Sequence, residues 1–96
     1  MASAEIEVRN PSGLHARPAA TFVRAAGGFA SDVRVTNLSR DGSKSASAKS
    51  VLGVMALGVA RGHRIRLDAA GDDADAAVTA LAQMVAAGLG EEVDDD

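Results

Sequence analysis

The chain has 96 residues, 13 acidic against ten basic, a net charge of −3, and no Cys, Trp or Tyr. That length leaves room for a single domain, and the absence of Cys excludes disulfides, thiol chemistry and thiolate metal sites. Two histidines cannot form a three-His zinc site, and two Phe as the only aromatics argue against a stacking platform for single-stranded nucleic acid.

From the N-terminus, Ala4, Ile6 and Val8 alternate with Glu5, Glu7 and Arg9, which predicts a half-buried strand. Asn10-Pro11-Ser12-Gly13 follows as a turn. A helix is predicted from 16 to about 27, with Ala16, Ala19, Ala20, Val23 and Ala26 on one stripe, Phe22 beside it, and Gly27-Gly28 as its stop. Pro18 is tolerated because the first turn has no intrahelical donor to lose. Residues 32–36 alternate as a second strand, Arg40-Asp41-Gly42 signals a turn, and 43–48 can return as a thin third strand whose small side chains suit a sheet edge. Ser50 caps a short apolar helix over 51–57. Residues 64–69 alternate most cleanly of all. A last helix runs from about 73 to 87, with Ala74, Val78, Leu81 and Val85 on its stripe. Asp72 or Asp73 is expected to cap its start, and Gly88 and Gly90 to close it. The order βαββαβα implies an α+β domain over residues 1–90: an antiparallel sheet with helices on one side and water on the other.

The charge is unevenly spread. Five of the last six residues are acidic, so 91–96 reads as a solvated, disordered tail, and residues 1–90 carry +2. That balance is too weak for a nucleic-acid binder but favours an acidic partner surface. Of the 45 hydrophobic residues, 21 are Ala, leaving 24 larger side chains for a core. No run approaches the ~20 apolar residues of a membrane helix, and Met1-Ala2-Ser3-Ala4-Glu5 shows neither the basic nor the apolar stretch of an export signal. A cytoplasmic monomer without membrane insertion, metal or cofactor is expected.

The chemistry concentrates at Gly13-Leu14-His15-Ala16-Arg17-Pro18. His15 stands where a loop meets a helix start, an end with unpartnered N–H groups and partial positive charge that suits anions. Arg17 adds a planar cation matched to phosphate oxygens, Ser12 a hydroxyl, and Gly13 room for close backbone approach. Imidazole is a competent nucleophile near neutral pH, and a positive helix end favours its neutral form. The arrangement fits a histidine that takes a phosphoryl group. A plainer reading fits the same residues: a partly exposed His capping a helix beside an ordinary surface Arg. His63, in Arg61-Gly62-His63-Arg64, is expected to be a surface turn residue.

Gly13-Leu14-His15-Ala16-Arg17-Pro18-Ala19-Ala20 resembles the active-site signature of HPr, the histidine-containing phosphocarrier family of the bacterial phosphoenolpyruvate:sugar phosphotransferase system. A second block, 44–55, resembles that family's serine-site region, and the resemblance as a whole covers about residues 4–90. The resemblance implies an HPr-like open-faced β-sandwich, with a four-stranded antiparallel sheet and three helices on one face. It implies that enzyme I, charged by phosphoenolpyruvate, phosphorylates His15 on Nδ1, with Arg17 stabilising the phosphate and Ser12 supporting it. The phosphoryl group then passes to IIA components of sugar permeases, so the chain is a covalent carrier rather than an autonomous enzyme. Arg24 and Lys49 match family positions that are often basic and face enzyme I. Val51, Leu52 and Met55 carry more apolar surface than so short a helix can bury and are expected to form a docking patch. Ser50 matches the serine modified by HPr kinase/phosphorylase in bacteria that possess one.

The stretch over 36–43 is longer than the family's hairpin, in a place that tolerates insertion. Two other readings use the same residues: a phosphocarrier of a nitrogen-regulatory or dihydroxyacetone kinase branch, and a non-catalytic binding module in which His15 only caps a helix.

Overall fold

Residues 2–40 and 44–91 are described in the computed structural model. The turn expected at Arg40-Asp41-Gly42 and the tail beyond Glu91 fall, in whole or in part, outside the described residues. Strand β1 (Ala2–Glu7), helix α1 (Ala16–Ala26), strands β2 (Asp32–Asn37) and β3 (Ser45–Ser47), helix α2 (Val51–Ala56), strand β4 (Arg64–Ala70) and helix α3 (Ala74–Ala86) follow one another in the expected order.

The strands form one sheet in the order β1-β4-β2-β3, and every pairing is antiparallel. Because side chains alternate across a strand, the register sorts residues into rows. Ala4, Leu67, Val35 and Ala46 line up across all four strands on the inner face. Glu5, Arg66, Thr36 and Ser45 line up on the outer face. The inner rows pack with Phe22, Ala26, Val78, Leu81 and Val85 from the helices into one core. β3 is an edge strand of three small residues, as its sequence suggested.

α1 buries a stripe rotated from the one expected. Pro18, Ala19, Phe22 and Ala26 are buried, whereas Ala16 is exposed. Phe22 is fully buried at the centre, where an aromatic contributes ~1.5–3 kcal/mol; the alanines are too small to direct the helix. Gly27 ends α1 with a right-handed φ of −64°, so this glycine is not used for the left-handed turn that usually favours it.

α3 departs from expectation at its start, whereas Gly88 closes its end as expected. Asp73 occupies the N-cap position, but its side chain makes no capping bond. Its carboxylate instead accepts from the N–H groups of Ala30 (2.8 Å) and Ser31 (2.9 Å) and from the Ser31 hydroxyl. It clasps the α1–β2 loop, where three donors outbid one helix N–H. Past the C-terminus, Gly88, Leu89 and Gly90 take φ values of 97°, 53° and 88° in succession. That left-handed run folds the chain back on itself, and Glu91, expected in the tail, belongs to the folded body.

Candidate functional site at the start of helix α1

Three anchors hold the loop before α1. Gly13 N–H donates to the Asn10 carbonyl (3.1 Å), and the buried Asn10 side chain donates back to the Gly13 carbonyl (2.9 Å), closing the turn. Gly13 sits at φ 60° against the backbone of Val59 and Ala60, where a Cβ would collide with the Val59 carbonyl oxygen. Only glycine meets both conditions. Leu14 is then 1% exposed in the core, and its N–H donates to that same carbonyl (3.1 Å). With Leu14 fixed inward, His15 is turned outward and is exposed.

His15 is the N-cap residue of α1, in extended conformation (φ −124°, ψ 148°), and its side chain makes no capping bond. The simple capping role for the ring is therefore not realised. The helix start carries no acidic residue in its first turn, so no side chain of α1 itself offsets its partial positive charge. Ala16 follows at φ 43°, a left-handed conformation that costs a non-glycine residue of order 1 kcal/mol. Such strain collects at functional sites because the surroundings must impose it. Arg17 is exposed one residue further on.

Ser12 lies in the same loop, but its polar groups are already engaged. Glu91 Oε1 accepts from the Ser12 N–H (3.1 Å) and from Asn10 Nδ2 (3.0 Å), and Oε2 accepts from the Ser12 hydroxyl (2.9 Å). The Asn10 side chain, then the N–H and hydroxyl of Ser12, and finally the charge of Arg17 hold the Glu91 carboxyl below its ordinary range. Asn10 and Glu91 were not picked out from sequence. Asn10 resembles any turn residue, and Glu91 is one acid within an acidic run.

Helix α2 packs against α1. Ser50 caps α2 as expected, its hydroxyl accepting from the Gly53 N–H (3.0 Å). Leu52 is 81% exposed and Val51 37%, while Met55 is half-buried against the core. Arg24 is exposed in the last turn of α1, and Lys49 donates from Nζ to the Phe29 carbonyl (2.8 Å) just beyond that turn. The two cations thus both lie by the C-terminal end of α1.

His63 is more than a surface turn residue. It is half-buried, and its Nδ1 faces both the Ala60 N–H (3.1 Å) and Asn37 Nδ2 (3.2 Å). Two donors meeting one nitrogen make it the acceptor, so the ring proton is on Nε2. His63 thereby braces the 59–60 segment on which Leu14 and Gly13 rest. Among the described residues no three His, Asp or Glu side chains converge as a metal site. A cleft of about 110 Å³, lined by Asn37, Arg40, Lys44, Ala56 and Leu57, does not include His15. No helix among the described residues is long and apolar enough to cross a membrane.

Comparison with known proteins gives a consistent result. The family model described as PTS HPr component phosphorylation site matches residues 2–87. The multiphosphoryl transfer protein of Escherichia coli O157:H7 is 51% identical over 89 residues, covering 93% of this chain and 23% of that protein. The one from Haemophilus influenzae is 46% identical over 86 residues, covering 90% and 17%. The chain thus spans less than a quarter of the length of these curated relatives. Among solved structures, HPr-C-His from Thermoanaerobacter tengcongensis superposes with a TM-score of 0.88 at 43% identity, covering 97% of this chain and all of that one. The phosphocarrier protein HPr from Bacillus anthracis superposes with a TM-score of 0.81 at 38% identity, covering 88% and 95%.

Proposed function

Since the chain belongs to the HPr family of phosphotransferase-system phosphocarriers, we propose that His15 is its phosphoryl acceptor and Arg17 the side chain that steadies the transferred group. The observation that carries this reading is the start of α1, where an exposed imidazole makes no capping bond at a helix end bearing no acidic residue. Phospho-enzyme I presents the phosphoryl group. The lone pair on Nδ1 of neutral His15 forms the new N–P bond as the bond from phosphorus to the donor breaks, and the ring keeps its proton on Nε2. The first N–H groups of α1 and the Arg17 guanidinium then hold the phosphate oxygens through charge-assisted hydrogen bonds. Delivery to a IIA component of a sugar permease reverses these steps, and the chain acts in the cytoplasm as a monomeric carrier rather than as an autonomous enzyme.

Docking is assigned to Leu52, Val51 and Met55, flanked by Arg24 and Lys49. An exposed leucine within a basic rim suits a partner with an apolar patch and acidic surroundings. Ser50 is a candidate for modification by HPr kinase/phosphorylase. A phosphate there would add ~−2 charge beside the docking face and oppose an acidic partner.

Incubation with phosphoenolpyruvate and enzyme I tests the reading. Acid-labile phosphate should enter the wild-type chain and be absent from His15→Ala. No incorporation into the wild type would overturn it.

A further inference from the structure

We propose that Glu91 is an internal stand-in for the phosphoryl group: its carboxylate holds the Ser12 side of the anion site while His15 is unmodified, and it is displaced when phosphate arrives. The inference rests on the reading of His15 as phosphoryl acceptor and adds a competitor to it. Glu91 grips Ser12 with both oxygens, one on the N–H (3.1 Å) and one on the hydroxyl (2.9 Å). A backbone N–H and a hydroxyl side by side are the donors that a phosphate oxygen also uses. The only anion they meet among the described residues is this carboxylate.

The placement is built into the chain. Three successive left-handed residues, Gly88, Leu89 and Gly90, reverse its direction after α3. Two of them are glycines, but Leu89 is not, and it is held in that conformation by burial (4% exposed) and by its N–H bond to the Met84 carbonyl (3.0 Å). Glu91 N–H closes the turn on the Gly88 carbonyl (2.9 Å), which aims the side chain at the loop before His15. At the receiving end, buried Asn10 divides its amide between the Gly13 carbonyl and Glu91. The carboxylate is thus tied to the turn that sets the position of His15.

Arg17 lies close enough for its charge to act on Glu91, so the two anions draw on one cation. A phosphoryl group on His15 brings ~−2 charge to a region already holding a carboxylate. The two repel, Glu91 lets go, and Ser12 becomes available to the phosphate. The free carrier is then a self-occupied site. Its hold on phosphate is weakened by the work of displacing Glu91, which suits a protein that must give the group away.

The test is a titration with inorganic phosphate, followed through the backbone amides of Ser12, Ala16 and Arg17 by NMR, in the wild type and Glu91→Gln. The amide keeps the size of the side chain and removes its charge. Phosphate should bind Glu91→Gln roughly five- to tenfold more tightly, the scale of removing one competing charged acceptor. An affinity within twofold of wild type would overturn the proposal. A second measurement needs no variant: when enzyme I and phosphoenolpyruvate phosphorylate the wild type, the Ser12 amide should move to a new position and the Glu91 side chain should gain mobility. A Ser12 amide that stays in place while His15 carries phosphate would also overturn it. Failure of the wild type to take up phosphate from enzyme I counts against the carrier reading alone, because the free-phosphate titration still reports the competition.

Discussion

Helices α1 and α2 begin alike and end up with opposite chemistry. Both are entered from an extended residue, His15 at φ −124° and Ser50 at φ −117°. An N-cap side chain can accept from the second or third helical N–H. In α2 the third residue is Gly53, and the Ser50 hydroxyl takes its N–H. In α1 the third residue is Pro18, which has no N–H to offer, and the His15 ring makes no cap at all. One helix end is closed by its own sequence and the other is left open. The proposed site for an exchangeable anion coincides with the withheld cap, and the sequence pattern His-x-x-Pro against Ser-x-x-Gly records the difference.

The two starts also divide the proposed work, chemistry at α1 and docking at α2, and separating these gives the largest expected effect. Leu52→Glu leaves the Ser50 cap and the core untouched, since Leu52 is 81% exposed. Its thermal midpoint should match wild type, while the rate of transfer from enzyme I falls about thirtyfold, the cost of losing an interface residue worth ~2 kcal/mol. Label should still accumulate on long incubation, because His15 is intact. Unchanged transfer kinetics would remove α2 from the docking surface.

The caps themselves can be compared by the same truncation at both helices. Ser50→Ala should cost about 1 kcal/mol and lower the midpoint by ~4–8 °C in a domain of this size. His15→Ala should leave the midpoint where it is, since the ring contributes no capping bond. Equal losses in calorimetry would mean that His15 caps its helix after all, and the contrast between the two ends would be lost.

Much of this was legible in advance because it rests on local rules. Alternation in 64–69 gave β4, the Ser50 hydroxyl found the donor expected of a helix cap, and His15 with Arg17 stood out at a helix start. What escaped depended on contacts distant in sequence. Asn10 and Glu91 are 81 positions apart, and their bond forms only because the turn at 88–90 brings the chain back. His63 looked like a turn residue because its partner Asn37 lies on strand β2, far from it in sequence. Phe22 displaced the alanine stripe of α1 because volume, not hydrophobic count, decides which face a helix buries.

Asp73 is the sharpest of these cases and supplies the smallest expected effect. It stands at the N-cap of a third helix, with a side chain that sequence rules assign to capping, yet it clasps the neighbouring loop instead. The Ser31 hydroxyl, then the Ala30 N–H, hold its carboxyl below the ordinary value of 3.8, and desolvation offsets part of this. Because the folded state favours the ionised form, the clasp contributes fully above that value and is lost as pH falls through the lower folded one. Asp73→Asn keeps one acceptor oxygen and loses the charge. Its midpoint should lie a few degrees below wild type at neutral pH, with the gap persisting to about pH 5 and closing below 3.8. Glu91, also held below its ordinary value, is present in both proteins, so it cancels in the difference. A gap that stayed constant down to pH 2 would assign the clasp to shape rather than charge, and the α1–β2 loop would then be held, like the start of α2, by neutral hydrogen bonds rather than by an ion.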